Sequence, residues 1–377
     1  MFTSYIMKLT GYCNLDCSYC YMFNSADQTH RRKPSAMTID TAIATLDMIV
    51  AYGARCGRTR FEVTLHGGEP TLWPVANFER FFERVTALRA SGLDIDLGLQ
   101  SNLFKLPAPR LLDLFAAMGL KIGISLDGPR AANDAARVDF AGRGSYDRVM
   151  RNVRTLIEQG RGDIIGGFLC VMQPDVPPAD FLAWIADLPV TRINLLWPLE
   201  VNHANPPWRD EASYAAAPRY GTWAADLFDA WLRLDRDDIY IDRFHGTMRA
   251  ILGGVASSDD HAAWSLRSLV INTDGAIELS DYFRPSSDGA AETGFSVHGD
   301  RPEAVAAWPP FARHQADAER QPADCRSCEH WRHCGGGTLA GRFDAAGRIT
   351  DRPSVLCGDH LHFFDRVSAR LSAAQAA

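Results

Sequence analysis

Three cysteines fall within eight residues near the start of the chain: Cys13-Asn-Leu-Asp-Cys17-Ser-Tyr-Cys20. Three thiolates in one compact loop can ligate three irons of a [4Fe–4S] cube and leave the fourth iron open to a small molecule. A structural zinc ion wants a fourth protein ligand, and the nearest histidine, His30, lies ten residues beyond Cys20. A second group stands far downstream: Cys325-Arg-Ser-Cys328, then Cys334 and Cys357. Four thiolates suit either a zinc ion or an iron–sulfur cluster, and spacing alone leaves that open. Of the nine cysteines only Cys56 and Cys170 stand apart, and both read as small buried apolar residues. Clusters of this kind in a cytosolic chain point to metal ligation over disulfides.

Such ligands must be carried on a scaffold, and the chain has the material for one. Its 377 residues are 46% apolar, enough for a sizeable core. A net charge of −7, from 39 basic and 46 acidic residues, argues against a nucleic-acid partner, since phosphate binding usually needs a basic face. No run of 18 or more apolar residues implies a membrane span. The first ten residues lack the pattern of a signal peptide and read as a strand, so the expected location is cytoplasmic.

Short apolar runs at 5–9, 61–65, 95–99, 122–126, 165–171 and 192–198 predict six strands, with amphipathic helices between them. Thr38 is a candidate cap for a helix burying Ile43, Leu46, Ile49 and Val50. Asn77 is a candidate cap for one burying Phe78, Phe81, Phe82, Val85 and Leu88; Ser145 opens another. Six βα units predict an α/β fold, a partial (β/α)6 TIM-type barrel with its site at the C-terminal strand ends. The expected division is 1–200 for the barrel, 201–264 for a helical connection flanking the site, and 265–377 for a second, cysteine-bearing domain.

The order strand, C-x3-C-x2-C, with an aromatic before the last cysteine, resembles the radical S-adenosylmethionine (SAM) superfamily. His66-Gly67-Gly68-Glu69-Pro70 after the second strand strengthens the resemblance. It implies that Gly67 and Gly68 admit backbone close to the methionine amino group, which Glu69 helps to hold. It also places Ser101 and Asn102, after the third strand, on ribose or carboxylate, and Ser125 and Asp127 after the fourth. Arg137 becomes a candidate partner for the cofactor carboxylate, and Tyr19 a neighbour of the adenine. The implied cofactors are SAM and a [4Fe–4S] cluster on Cys13, Cys17 and Cys20.

Behind such a domain, the second cysteine group resembles the SPASM domain, implying an auxiliary [4Fe–4S] cluster on Cys325, Cys328, Cys334 and Cys357. Two positions depart from the fuller SPASM pattern: Thr338 and Ser280 stand where further cysteines are common. One auxiliary cluster is therefore expected. The runs Thr273-Asp274-Gly275-Ala-Ile-Glu278-Leu-Ser280-Asp281, Asp288-Gly289-Ala290, and Pro353-Ser354-Val355-Leu-Cys357-Gly-Asp359 resemble the cyclophane-forming peptide maturases. That subgroup implies a ribosomal precursor peptide with a leader as substrate. An aromatic ring carbon is joined to the β-carbon of a residue two positions later. An electron donor such as flavodoxin or ferredoxin is implied, with no nucleic-acid or membrane partner. Asp281, Glu278 and His245 are candidate bases, with His203 a further one. Trp197, Trp208 and Trp223 are candidate channel residues. Thioether or ether crosslinking, epimerisation and sulfatase-type oxidation are the other peptide modifications to weigh; a zinc-stabilised binding protein is the non-enzymatic alternative.

Overall fold

The computed structural model describes residues 2–208, 210–254 and 266–376. The chain forms two compact units, each discontinuous in sequence. The first comprises Met1–Leu126, Asp134–Gly166 and Leu266–Arg313; the second comprises Asp127–Asn133, Gly167–Ser265 and His314–Ala377. The expected boundary at 264–265 lies outside the described residues, and 265–377 contributes to both units.

In the first unit the strands are β1 (Ser4–Thr10), β2 (Arg60–Gly67), β3 (Asp94–Ser101) and β4 (Lys121–Ser125), parallel and adjacent in that order. The second unit carries β5 (Ile165–Val171) from Gly167 onward, with β6 (Arg192–Leu196) and the two-residue β7 (Tyr240–Ile241) parallel beside it. On the free side of β1 lies β8 (Ser268–Ile271), also parallel, with Tyr5 opposite Leu269. Antiparallel β9 (Ala276–Glu278) and β10 (Glu292–Ser296) extend that edge. A downstream segment thus pairs with the first strand, which brings residues near 280 to the loop after β1. The pairing of β1 with β2 shifts between Lys8 and Thr10. Such a bulge bends a strand end and re-aims the chain beyond it, here the cysteine loop.

Helices cover the sheet as the apolar spacing predicts, with two corrections. The helix Val75–Ala90 starts after Pro74, so Asn77 lies in its first turn and is not the cap. Its buried stripe is as expected: Phe78, Phe81, Phe82, Val85 and Leu88 are at most 4% exposed. Each such burial contributes on the order of 2 kcal/mol. Phe78 meets Trp73 edge-on at 5.1 Å, and Trp73 donates its Nε1–H to the Met37 carbonyl at 2.8 Å. The helix Ile39–Cys56 is capped by Thr38, whose hydroxyl accepts the Thr41 N–H at 3.1 Å. Its inner face is rotated from the expected one: Leu46, Ile49, Tyr52 and Gly53 are buried, while Ile43 and Val50 are half-buried. Gly53 sets the rotation, because Phe61 of β2 packs directly on it and a Cβ there would lie 2.5 Å from that ring. Ser145 holds the cap position of the helix Tyr146–Glu158, but the Asp134 carboxylate accepts the Tyr146 N–H at 2.9 Å.

Candidate metal centres

The first three cysteines sit on the loop leaving β1. Its backbone is stitched to a neighbouring segment: Asp16 N–H donates to the Val138 carbonyl at 2.8 Å and Ser18 N–H to Ala136 at 3.0 Å. On the other side, Gly68 and Glu69 donate their N–H groups to the Thr10 and Tyr12 carbonyls at 2.8 and 3.0 Å. A Cβ on Gly68 would lie 2.0 Å from the Tyr12 carbonyl oxygen, and Gly67 has φ 136°. Only glycine fits there, so this pair locks the cysteine loop against β2.

Cys13, Cys17 and Cys20 are buried or half-buried. Burial pushes the Cys13 thiol up to about 12, and Glu69, Cys17 and Cys20 push in the same direction. Burial also raises Cys20, with backbone N–H groups, Arg137 and Lys8 opposing. Three converging thiols held this way become thiolates when a cation compensates them, which is the charge a ligated iron brings. Among the described residues, the group of three metal-ligating side chains found within 4.8 Å of one another is Glu329, His330 and Asp365, and no set of cysteines is so tight.

Glu69 is 1% exposed and joins the ends of β2 and β3. Its Oε1 accepts from the Thr71 N–H and hydroxyl at 3.1 and 2.6 Å and from Ser101 at 2.8 Å; its Oε2 accepts the Asn102 N–H at 2.8 Å. Burial raises its carboxyl, and these donors oppose the rise. Asn102 also reaches the cysteine loop, with its Nδ2 3.3 Å from Cys13 Sγ. Arg137 donates from Nη1 to the Tyr19 hydroxyl at 2.8 Å, which joins these two predicted residues. Ser125 accepts from Gln100 Nε2 at 2.7 Å. Asp127 belongs to the other unit, where its Oδ1 accepts the Val171 N–H at 2.9 Å and anchors the end of β5.

The base candidates have different surroundings. Asp281 accepts from Lys8 Nζ at 2.6 Å and Tyr21 at 3.0 Å through Oδ2, and from Arg284 Nε at 2.8 Å through Oδ1. Burial would raise its carboxyl, but Lys8, Arg284 and His66 outweigh it and hold it below the usual range. Glu278 is 0% exposed and bonded to Arg284, Lys33 and Asn272. Its oxygens are taken by two cations and an amide donor, so its place in the structure is that of an ion-network member. Burial pushes His66 down to about 3, with Lys8 adding to the effect, so its imidazole is neutral beside Asp281. His245 lies in the second unit, stacked on Tyr240 at 3.9 Å with Nδ1 3.0 Å from the Ile241 carbonyl. His203 Nε2 lies 2.9 Å from the Pro353 carbonyl. No sequence motif singles out Lys8, Tyr21 or Arg284. The signal for Lys8 is a lysine inside an apolar strand run, 0% exposed in the structure.

The second cysteine group lies wholly in the second unit. Burial pushes Cys334 and Cys357 up to about 12, with Cys357 adding to Cys334 and with Cys325 and Cys328 adding to Cys357. The four thiols are thus linked electrostatically, Cys325 also being raised by Cys328. Gly335, Gly336 and Gly337 all have positive φ, wrapping the chain after Cys334 tightly; a Cβ on Gly337 would lie 2.6 Å from Ser354. Arg342, 0% exposed, donates to the Ala318 and Asp317 carbonyls at 2.9 Å and brings positive charge toward Cys325. Thr338 pairs with the Ser354 hydroxyl at 3.4 Å, and Ser280 accepts the Tyr282 N–H at 3.4 Å. Of the tryptophans, Trp197 meets His360 edge-on at 4.3 Å and Trp223 donates to the Val176 carbonyl at 2.7 Å, both buried. Trp208 faces Tyr214 at 5.2 Å on an open groove.

Residues 7–188 match the family described as the Radical SAM superfamily. Across the chain, similarity runs to sulfatase-maturating enzymes. The serine-type anaerobic enzyme of Bacteroides thetaiotaomicron is 21% identical over 94% of this chain and 87% of its own length. The cysteine-type anaerobic enzyme of Clostridium novyi is 23% identical over 74% and 73%. Among solved structures, native anSMEcpe with bound AdoMet and Cp18Cys peptide superposes with a TM-score of 0.82 at 18% identity, covering 99% of both chains. Streptococcus suis SuiB bound to precursor peptide SuiA gives 0.57 at 16% identity, covering 94% of this chain and 76% of that one. The α/β fold with its parallel sheet is the fold of these proteins.

Proposed function

We propose that this protein, whose residues 7–188 match the Radical SAM superfamily, is a radical SAM enzyme that crosslinks a ribosomally made precursor peptide. The bond proposed joins an aromatic ring carbon to the β-carbon of a residue two positions later. When bound at Cys13, Cys17 and Cys20, a [4Fe–4S] cluster with SAM supplies a deoxyadenosyl radical able to take hydrogen from unactivated carbon. Glu69, through the second lone pair of Oε2, together with Ser101, Ser125 and the Arg137–Tyr19 pair, is proposed to bind that cofactor; Asp127 and Asn102 order the loops that carry them.

The observation that carries the reading is the pair of donor sets, three thiols in one unit and four in the other. The four suit a single closed auxiliary cluster, with Thr338 and Ser280 engaged in hydrogen bonds where further ligands would stand. Asp281 is the base proposed to take the ring proton. Lys8, Tyr21 and Arg284 keep it ionised and fixed, and a ring that has lost an electron is acidic enough for a weak base to serve. A flavodoxin or ferredoxin is the proposed electron donor.

An anaerobic reaction with the peptide encoded by a neighbouring small open reading frame tests this. The product should be two hydrogens lighter per crosslink and should resist fragmentation between the joined residues. The full-length likeness to sulfatase-maturating enzymes favours a second reading, oxidation of one serine or cysteine side chain. A serine oxidised to an aldehyde is also two hydrogens lighter, but it fragments normally and reacts with a hydrazine. An unchanged mass with an inverted α-carbon means epimerisation instead.

Cys357→Ala should remove about four irons per chain and stop peptide crosslinking, while deoxyadenosine formation stays measurable. Iron analysis beside product chromatography checks this, and an unchanged iron content rejects the auxiliary assignment.

A further inference from the structure

We propose that the Asn102 side chain sets the reduction potential of the cluster at Cys13, Cys17 and Cys20 by donating an N–H···S hydrogen bond to the Cys13 sulfur. The inference rests on the reading of Cys13 as a cluster ligand.

Asn102 comes directly after the last residue of β3 and is 6% exposed. Its backbone is fixed by the N–H bond to Glu69 Oε2 at 2.8 Å, and its Oδ1 accepts the Phe104 N–H at 2.8 Å. That second bond fixes which end of the amide is which, since a flipped amide would set two donors against each other. Nδ2 therefore points at the cysteine loop, 3.3 Å from Cys13 Sγ and 2.8 Å from Asn14 Oδ1. The Leu15 N–H also donates to Cys13 Sγ, at 3.4 Å. That backbone donor is independent of side-chain identity, whereas the Asn102 amide is a donor this sequence has chosen. Its bond to Asn14 holds the amide in line with the sulfur.

A hydrogen-bond donor on a cluster sulfur stabilises the more electron-rich, reduced state, so it raises the potential. Radical generation begins with that reduction, so the residue acts through Cys13 and is a positioning residue. Two substitutions separate the effect from a structural one. Asn102→Ser keeps a hydroxyl able to accept the Phe104 N–H but is too short to reach Cys13. Asn102→Asp keeps the size and the acceptor, removes both N–H donors, and adds negative charge.

The test is a potentiometric titration of the reconstituted full-length protein followed by electron paramagnetic resonance. The radical cluster is identified as the signal that changes when SAM is added. In Asn102→Ser the ratio of reduced to oxidised cluster at a fixed potential should fall about tenfold, which is 59 mV for one electron. Asn102→Asp should fall further, and the SAM-insensitive signal should not move. A midpoint unchanged in both variants overturns the inference. A wild type with iron but no SAM-sensitive signal overturns the ligand reading, and this inference with it.

Discussion

Alanine in place of Cys13, Cys17 and Cys20 together reduces dithionite-driven deoxyadenosine formation to background. Enzymatic accelerations run to at least about a million-fold, so the loss should exceed ~10³-fold and be limited by the assay. The size of the effect comes from the donor set. Each thiol supplies one bond to an iron, and no cysteine outside the two groups stands in the loop to replace one. The variant should also bind about four fewer irons while retaining the auxiliary set. The loop itself should survive, because it is held by backbone bonds from Asp16, Ser18, Gly68 and Glu69. An unchanged circular dichroism spectrum alongside lost activity is thus part of the expected result. Deoxyadenosine formation persisting in the triple variant would reject the primary site.

The parts of this protein that obey a local rule are legible from sequence. The cysteine loop comes directly after β1, and the apolar runs form strands within a few residues of their expected ends. β7 escapes because two residues carry no periodicity, and β10, Glu-Thr-Gly-Phe-Ser, because a glycine interrupts its alternation. Apolar spacing misplaces the inner face of the helix Ile39–Cys56 because its partner, Phe61, lies on the next strand and selects Gly53 over Val50. The surroundings of the base candidates are the least legible. Lys8 meets Asp281 across 273 positions, and Asp27 meets Arg284 across 257. Nothing in the spacing of either segment announces that β8 pairs with β1, yet that pairing creates the ion network. A lysine inside an apolar strand demands a buried counter-charge, and that demand is the available clue.

Arg284→Ala should be the most destabilising single change in the first unit, by roughly 3–5 kcal/mol, the range for stripping one partner from a buried ion pair. Arg284 is 1% exposed and pairs with Asp27, Glu278 and Asp281. Without it, Glu278 keeps Lys33 and Asn272, and Asp281 keeps Lys8 and Tyr21. Asp27 keeps only bonds from Thr29 and the Gly289 N–H among those described, so most of the cost falls on it. In the intact protein, Asp281 is held below its ordinary 3.8. A carboxyl depressed in the folded state adds stability that is complete above its unfolded value and lost as pH falls through the folded one. Its contribution is therefore flat from about pH 5 upward in the wild type. In Arg284→Ala, acid protonates the stranded carboxylates and relieves their burial, so the deficit against wild type should be largest near pH 7.5 and narrower at pH 5. Urea unfolding of the reconstituted proteins at both pH values measures this. A deficit under about 1 kcal/mol at pH 7.5, or one that widens in acid, means that Arg284 does not hold these charges together. In that case Asp281 is not held ionised by the network, and its role as the base loses its physical support.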